Sequence, residues 1–176
     1  GSNRLFAATR KGMAIRIDET DVRPMSRSAH GVKAITLRGD DSVVSMARER
    51  KGASLLTVTE NGYGRRTALD EYRMQSRGGL GLTNYKVDAE HGDVCGIKVV
   101  DESDDLMFIS SDGVIIRTGV EEIRECGRGS QGVIVMRTGE DVKVISIART
   151  DKEEEDPAEA EEETAESAEN AESTEE

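Results

Sequence analysis

Nine arginines fall into three rows. The segments TRKGMAIR, TENGYGRR and SSDGVIIR start at Thr9, Thr59 and Ser110, and their glycines, Gly12, Gly62 and Gly113, lie 50 and 51 residues apart. Four residues after each glycine come Arg16, Arg66 and Arg117; eleven after come Arg23, Arg73 and Arg124; fifteen after come Arg27, Arg77 and Arg128. A second glycine follows in each copy, at Gly31, Gly81 and Gly132. Arginine is the fork that best matches phosphate oxygens, and it stays charged at any physiological pH. Held in register along an array, it makes a basic track suited to a long, regular polyanion, of which duplex DNA is the obvious candidate. Each arginine taken singly is also open to being a solvated strand residue, and the first row to pairing with carboxylates such as Glu71 or Glu122.

The elements that must carry these arginines repeat as well. Each copy opens with an apolar strand (Leu5–Ala8, Leu55–Val58, Leu106–Ile109), then a Lys-Gly, Asn-Gly or Asp-Gly turn, then a second strand (Met13–Ile17, Tyr63–Leu69, Val114–Thr118). Asn-Gly and Asp-Gly are strong hairpin signals. An acidic residue and an apolar one follow (Asp21-Val22, Glu71-Tyr72, Glu122-Ile123), and the arginine loop leads to a third strand over Val32–Leu37, Leu82–Val87 and Val133–Met136. A fourth strand is expected over Val43–Met46, Val94–Val99 and Val142–Ile147, with a longer loop at Asp88–Gly92. Four strands per period of about 50 residues is the content of a propeller-type blade. The chain is therefore expected to be all-β, a β-propeller-like pinwheel of about three four-stranded blades at 3–50, 51–101 and 102–150.

The net charge of -12 is unevenly placed. Residues 151–176 hold 14 Asp and Glu against one Lys, a net of -13, which leaves 23 Lys and Arg against 22 Asp and Glu in the rest. The last 26 residues have almost no large apolar side chains and are expected to form a disordered acidic tail, either solubilising or competing with phosphate for the arginines. Cys95 and Cys126 lack metal spacing and read as free buried thiols in a reducing, cytoplasmic setting. No apolar run is long enough to span a membrane. The start at Gly1-Ser2, without Met, reads as a piece of a longer protein.

No catalytic set stands out. His30 and His91 sit in loops of different repeats without metal-ligand spacing and are expected at the surface. Neither a metal nor a small-molecule substrate is expected. Backbone N–H groups of Gly78, Gly79 and Gly81, beside Arg77, are candidates to approach a phosphate. Aromatic residues are few: Phe6, Phe108, Tyr63, Tyr72 and Tyr85, with no Trp. Single-strand binders use aromatic stacking platforms, so this scarcity favours duplex DNA held by its phosphates. Following successive blades, such DNA must bend, at a cost on the order of a few kcal/mol.

Gln75-Ser76-Arg77-Gly78-Gly79-Leu80-Gly81 resembles the Q-R-R-G-G-K-G box of the DNA gyrase A family, with Ser76 and Leu80 in place of basic residues. The stretch Leu56–Thr67 with Glu71-Tyr72 is similar to a late blade of that family's C-terminal domain, and Gly127–Ile134 with Arg137-Thr138 to its final blade. The resemblance covers residues 3–150 and implies a β-pinwheel whose rim wraps DNA, here its last three blades and tail, without the first blade that bears the full box. It implies that the catalytic tyrosine region is absent, so the chain is not an enzyme by itself. ATP and Mg²⁺ would belong to the holoenzyme. The partners would be DNA, the remainder of gyrase A, and gyrase B. The A-type subunit of topoisomerase IV, or a propeller module binding protein partners, are the alternatives.

Overall fold

The computed structural model describes residues 3–152, so nearly all of the expected acidic tail lies outside the described residues. Within them the chain forms β1 (Arg4–Thr9), β2 (Met13–Asp18), β3 (Val43–Arg48), β4 (Ser54–Thr59), β5 (Tyr63–Ala68), β6 (Leu82–Thr83), β7 (Val94–Val100), β8 (Asp104–Ser110), β9 (Ile115–Gly119), β10 (Val133–Ile134) and β11 (Val144–Asp151). A short 3₁₀ turn follows the second strand of each repeat, at Glu19–Asp21, Leu69–Glu71 and Val120–Glu122. The architecture is the expected all-β pinwheel.

Each hairpin is closed by the same device. A hydroxyl at the end of the first strand accepts the N–H just past the turn: Met13 to Thr9 at 3.1 Å, Tyr63 to Thr59 at 3.3 Å, Val114 to Ser110 at 3.1 Å. The turn glycines Gly12, Gly62 and Gly113 take φ of 85°, 81° and 90°, a left-handed region that costs other residues energy.

The sheets differ from expectation in membership. Their strand orders are β3-β1-β2-β6, β10-β5-β4-β7 and β11-β8-β9. The third strand of a repeat therefore does not complete its own blade: β6 of the second repeat pairs with β2 of the first, and β10 of the third pairs with β5 of the second. These strands are also shorter than the sequence suggests. Asn84 and Tyr85 both donate to the Gly12 carbonyl, at 2.8 and 2.9 Å, and Val135 and Met136 both donate to Gly62, at 2.8 and 3.1 Å. Two donors converging on one carbonyl end the ladder there. In the first repeat Val32–Leu37 forms no strand; Ile35 makes a single bridge to Gly79.

Packing follows the same hand-over. Phe6, Ala8, Ala14, Leu55, Leu69, Tyr72, Ile97 and Val99 form the core between the first two sheets. Leu56, Val58, Leu106, Phe108, Val120, Ile123 and Met136 belong to the core between the second and third. Strand β4 thus buries both faces, as all six of its residues do. The apolar residue beside each acidic one, Tyr72 or Ile123, seals its repeat against the preceding blade.

A Cβ on Gly62 would overlap the Met136 carbonyl, whereas one on Gly113 would meet nothing within 4 Å. Gly113→Ala should cost only the left-handed backbone, on the order of 1–2 kcal/mol, and Gly62→Ala clearly more, through loss of the β10 docking. Urea midpoints compare the two; equal losses would show that the docking contributes nothing.

Candidate nucleic-acid interface

Two of the first arginine row are interior, which removes them from any contact with a polyanion. Arg16 is 5% exposed. Its Nη1 donates to the Leu69 and Tyr72 carbonyls at 3.1 and 3.0 Å, and its Nε and Nη2 grip Glu49 at 2.9 and 2.7 Å. Arg66, 7% exposed, donates from Nε to the Ile123 carbonyl at 2.5 Å, with Glu102 at 3.6 Å from Nη2. Both therefore clamp the 3₁₀ turn of the next repeat onto their own strand. Arg117, more exposed, is held by Asp105 at 2.8 Å and by the Asp151 carbonyl at 3.1 Å. The carboxylates of this row are Glu49, with Asp70 at 3.9 Å, for Arg16, Glu102 for Arg66 and Asp105 for Arg117, rather than Glu71 and Glu122. Strand alternation fixes which face an arginine takes, and the neighbouring blade covers that face.

The second row is placed differently. Arg23, Arg73 and Arg124 are all exposed, and none has a side-chain partner among the described residues. Arg73 and Arg124 leave the 3₁₀ turns just where the chain crosses the edge of the preceding sheet: Met74 bridges Arg16, and Glu125 bridges Arg66. In the third row, Arg27 is exposed and without a side-chain partner among the described residues, but Arg77 donates from Nε to the Asp21 carbonyl at 2.9 Å. Arg128 donates to the Thr83 carbonyl at 2.9 Å, lies 3.9 Å from Glu71, and sits over the Tyr72 ring. Arg77 and Arg128 thus fasten the second and third repeats back onto their predecessors, and Arg128 is the least available of the row.

The glycines of the box-like segment are used by the protein itself. Gly78 N–H donates to the Ala34 carbonyl at 2.7 Å, and the Gly79 carbonyl accepts from Thr36 at 2.8 Å. Gly81 lies against β2, where a Cβ would come 2.6 Å from the Ala14 carbonyl. Their small size serves the crossing of segments, and no phosphate cradle forms from Gly78.

Four further residues stand out by their surroundings. Arg65 is fully buried, occupying the register that Ile15 and Ile116 hold in the other repeats. Its Nη2 donates to the carbonyls of Asn84 and Arg128, its guanidinium lies 5.2 Å from the Tyr85 ring centre, and Nε and Nη1 make no hydrogen bond. Burial pulls its pKa down. Around it Tyr72 donates to Asn84 at 2.6 Å, and Asn84 to Thr57 at 3.1 Å, a polar network where the first blade packs Ala7, Ile15, Ile17 and Ile35. His91, expected at the surface, is 8% exposed, tilted against Tyr63 with ring centres 4.3 Å apart and bonded to Asp88 at 2.7 Å. Cys95 and Cys126 are free thiols, as read, but only half buried.

Charge is segregated along the chain. Residues 22–39 carry four Lys and Arg and no acid, residues 72–87 three and none, and residues 123–138 three against Glu125. In the second and third repeats these acid-poor stretches are the segments that cross the preceding sheet's edge, whereas acids crowd the hairpin ends. Among the described residues no group of three or more His, Cys, Asp or Glu is placed to hold a metal, and no helix is long and apolar enough to cross a membrane.

Compared with known proteins, residues 3–48, 53–101 and 104–151 match the model of the DNA gyrase C-terminal domain, beta-propeller. The chain belongs to this DNA gyrase A C-terminal family. It is 44% identical to the DNA gyrase A protein of Salmonella typhimurium over 149 residues, covering 85% of this chain and 17% of that protein. It is 43% identical to that of Haloquadratum walsbyi over 162 residues, covering 91% and 19%. The chain thus spans less than a fifth of the curated relatives it matches. A solved DNA gyrase A C-terminal domain superposes with a TM-score of 0.79 at 28% identity, over 84% of this chain and 50% of that one. The C-terminal domain of a DNA topoisomerase IV superposes with 0.81 at 28% identity, over 93% and 52%.

In this gyrase A C-terminal chain, Lys86 and Arg137 join the exposed cations although neither belongs to the three arginine rows; both lack a side-chain partner among the described residues. Their signal was available in the sequence: each lies five residues after the second glycine of its repeat.

Arg66→Met leaves the Ile123 carbonyl without its donor and should cost about 1–3 kcal/mol in urea unfolding, with little recovery in Arg66→Lys; unchanged stability would dispose of the clamp. Burial, with Glu60 adding to it, pushes the Cys95 thiol up to about 12. Cys95 should therefore resist a maleimide at pH 8 until the chain is denatured, and fast labelling of the native Cys126→Ser protein would contradict this.

Proposed function

We propose that this chain binds duplex DNA through its phosphates, without reading base sequence, along the outer edges of its blades. The observation that carries this reading is Arg23, Arg73 and Arg124: exposed, and without a side-chain partner among the described residues, at one register of three successive repeats. Arg27 and the free end of Arg77 lie on the same crossing segments and extend the track. Arg128 contributes less, and Arg16 and Arg66 act only by holding the blades in register. The clamps matter to binding all the same, because a polyanion spanning several blades needs the spacing between arginines to be fixed.

In this reading the chain is part of gyrase A in the cytoplasm, and wraps DNA so that the holoenzyme, together with gyrase B, introduces negative supercoils using ATP. The chain supplies no chemistry of its own; ATP and Mg²⁺ act elsewhere in the holoenzyme. The A-type subunit of topoisomerase IV stands as a second reading, favoured by the fit to a topoisomerase IV domain as good as that to gyrase.

Affinity for a random-sequence linear duplex, measured across a salt series, tests the reading. The 176-residue chain should lose affinity steeply as salt rises. Arg73→Ala with Arg124→Ala should flatten the slope of log K against log salt by about 1.8, at about 0.9 for each phosphate no longer neutralised. No binding at low salt, or a slope untouched by both substitutions, would reject it.

A further inference from the structure

The path of the crossing segment sets the distance between its cations. In the second repeat this segment starts beside Arg16, where Gln75 N–H donates to the Arg16 carbonyl at 2.9 Å. It then runs along β2, with Leu82 opposite Ala14 and Thr83 opposite Met13, and reaches the hairpin tip where Tyr85 meets Gly12. The third repeat does the same along β5, from Cys126 beside Arg66 to Met136 beside Gly62. Four residues of extended strand separate the two ends, about 14 Å at roughly 3.4 Å per residue. Arg73 and Arg124 flank one end of this path; Lys86 and Arg137 flank the other.

The orientation of that second pair is fixed by its neighbours. Tyr85 and Met136 are 1% and 3% exposed and anchor the segment inward. The next residue, Lys86 or Arg137, is exposed, and neither has a side-chain partner among the described residues. In the first repeat this register holds Thr36, and the exposed cation is Arg38, two residues on.

We propose that Lys86 and Arg137, with Arg38, form a second phosphate track, parallel to that of Arg23, Arg73 and Arg124, and that the two tracks hold opposite strands of one duplex. The inference rests on the DNA-binding reading and deepens it. A groove of B-form DNA is about 6–12 Å across. Two rows of long cationic side chains rooted about 14 Å apart can therefore straddle one groove and reach the phosphates on both sides. A single strand has one phosphate line and can occupy only one track. The arrangement selects duplex by its width, with no contact to a base.

The test uses the 176-residue chain with Lys86→Ala and Arg137→Ala together, and Lys51→Ala, an exposed cation on the β3–β4 turn, as control. On linear duplex the double variant should flatten the salt slope by about 1.8, and Lys51→Ala should leave it unchanged. On a single strand of the same length and random sequence, the double variant should keep the slope of the parent chain. A duplex slope that survives the double substitution, while Arg73→Ala with Arg124→Ala still lowers it, overturns the second track and leaves the DNA reading standing. An equal loss on single and double strands overturns the assignment of the tracks to opposite strands. A parent chain that binds neither defeats the underlying reading instead.

Discussion

One carbonyl at the tip of each of the first two hairpins organises the molecule. The Gly12 carbonyl takes two N–H groups from the second repeat, and that of Gly62 takes two from the third. Nothing with a side chain fits at Gly12 or Gly62, because the incoming backbone occupies the place of a Cβ. From that contact the rest follows. The incoming strand finishes the sheet, the 3₁₀ turn ahead of it is drawn under the neighbouring β-hairpin, and Arg16 or Arg66 caps the carbonyls that this turn exposes. Buried carbonyls without donors are costly, and an arginine that is itself tied to a carboxylate supplies them without leaving an unpaired charge.

The same constraint sorts the cations. A segment that must lie against a foreign sheet edge has an inner side committed to backbone bonding and an outer side facing water. Its inward positions are filled by Ile35, Tyr85 and Met136, and its outward ones by arginine and lysine. Acids are excluded from most of this segment and gather at the hairpin ends, where Asp93 holds Arg10 and Lys11 and Asp104 holds Arg50 and Arg149. A body with almost balanced charge thereby exposes a one-signed edge.

Much of this was legible in the residues. The glycine period, the Asn-Gly and Asp-Gly turns and the alternation of the hairpins gave the blades and most strand positions. Strand exchange was not legible, because a repeating sequence has the same period whether its third strand joins its own sheet or the previous one. Nor was the fate of Arg16 and Arg66. Periodicity places them on one face of a strand, but which faces are covered depends on the neighbouring blade. Arg65 shows the limit most clearly: nothing in its spacing marks it as buried, yet its face opens onto Asn84 and Tyr85. His91 was misread because the extra residues of the second repeat fold back as a turn held by Asp88, which tucks the ring beneath Tyr63.

Strand exchange also orders events during synthesis. The hairpin of the first blade ends at Asp18, but the strand that completes its sheet is Leu82–Thr83, and that of the second blade ends at Ala68 while awaiting Val133–Ile134. At about 5–20 residues per second, each blade waits several seconds on the ribosome with one edge open before the next repeat arrives to close it. The array must therefore fold with a lag of one repeat behind its translation. During that interval the open edge of each sheet is the surface most exposed to mispairing, and the short length of the strand it awaits limits how much of that edge a wrong partner can capture.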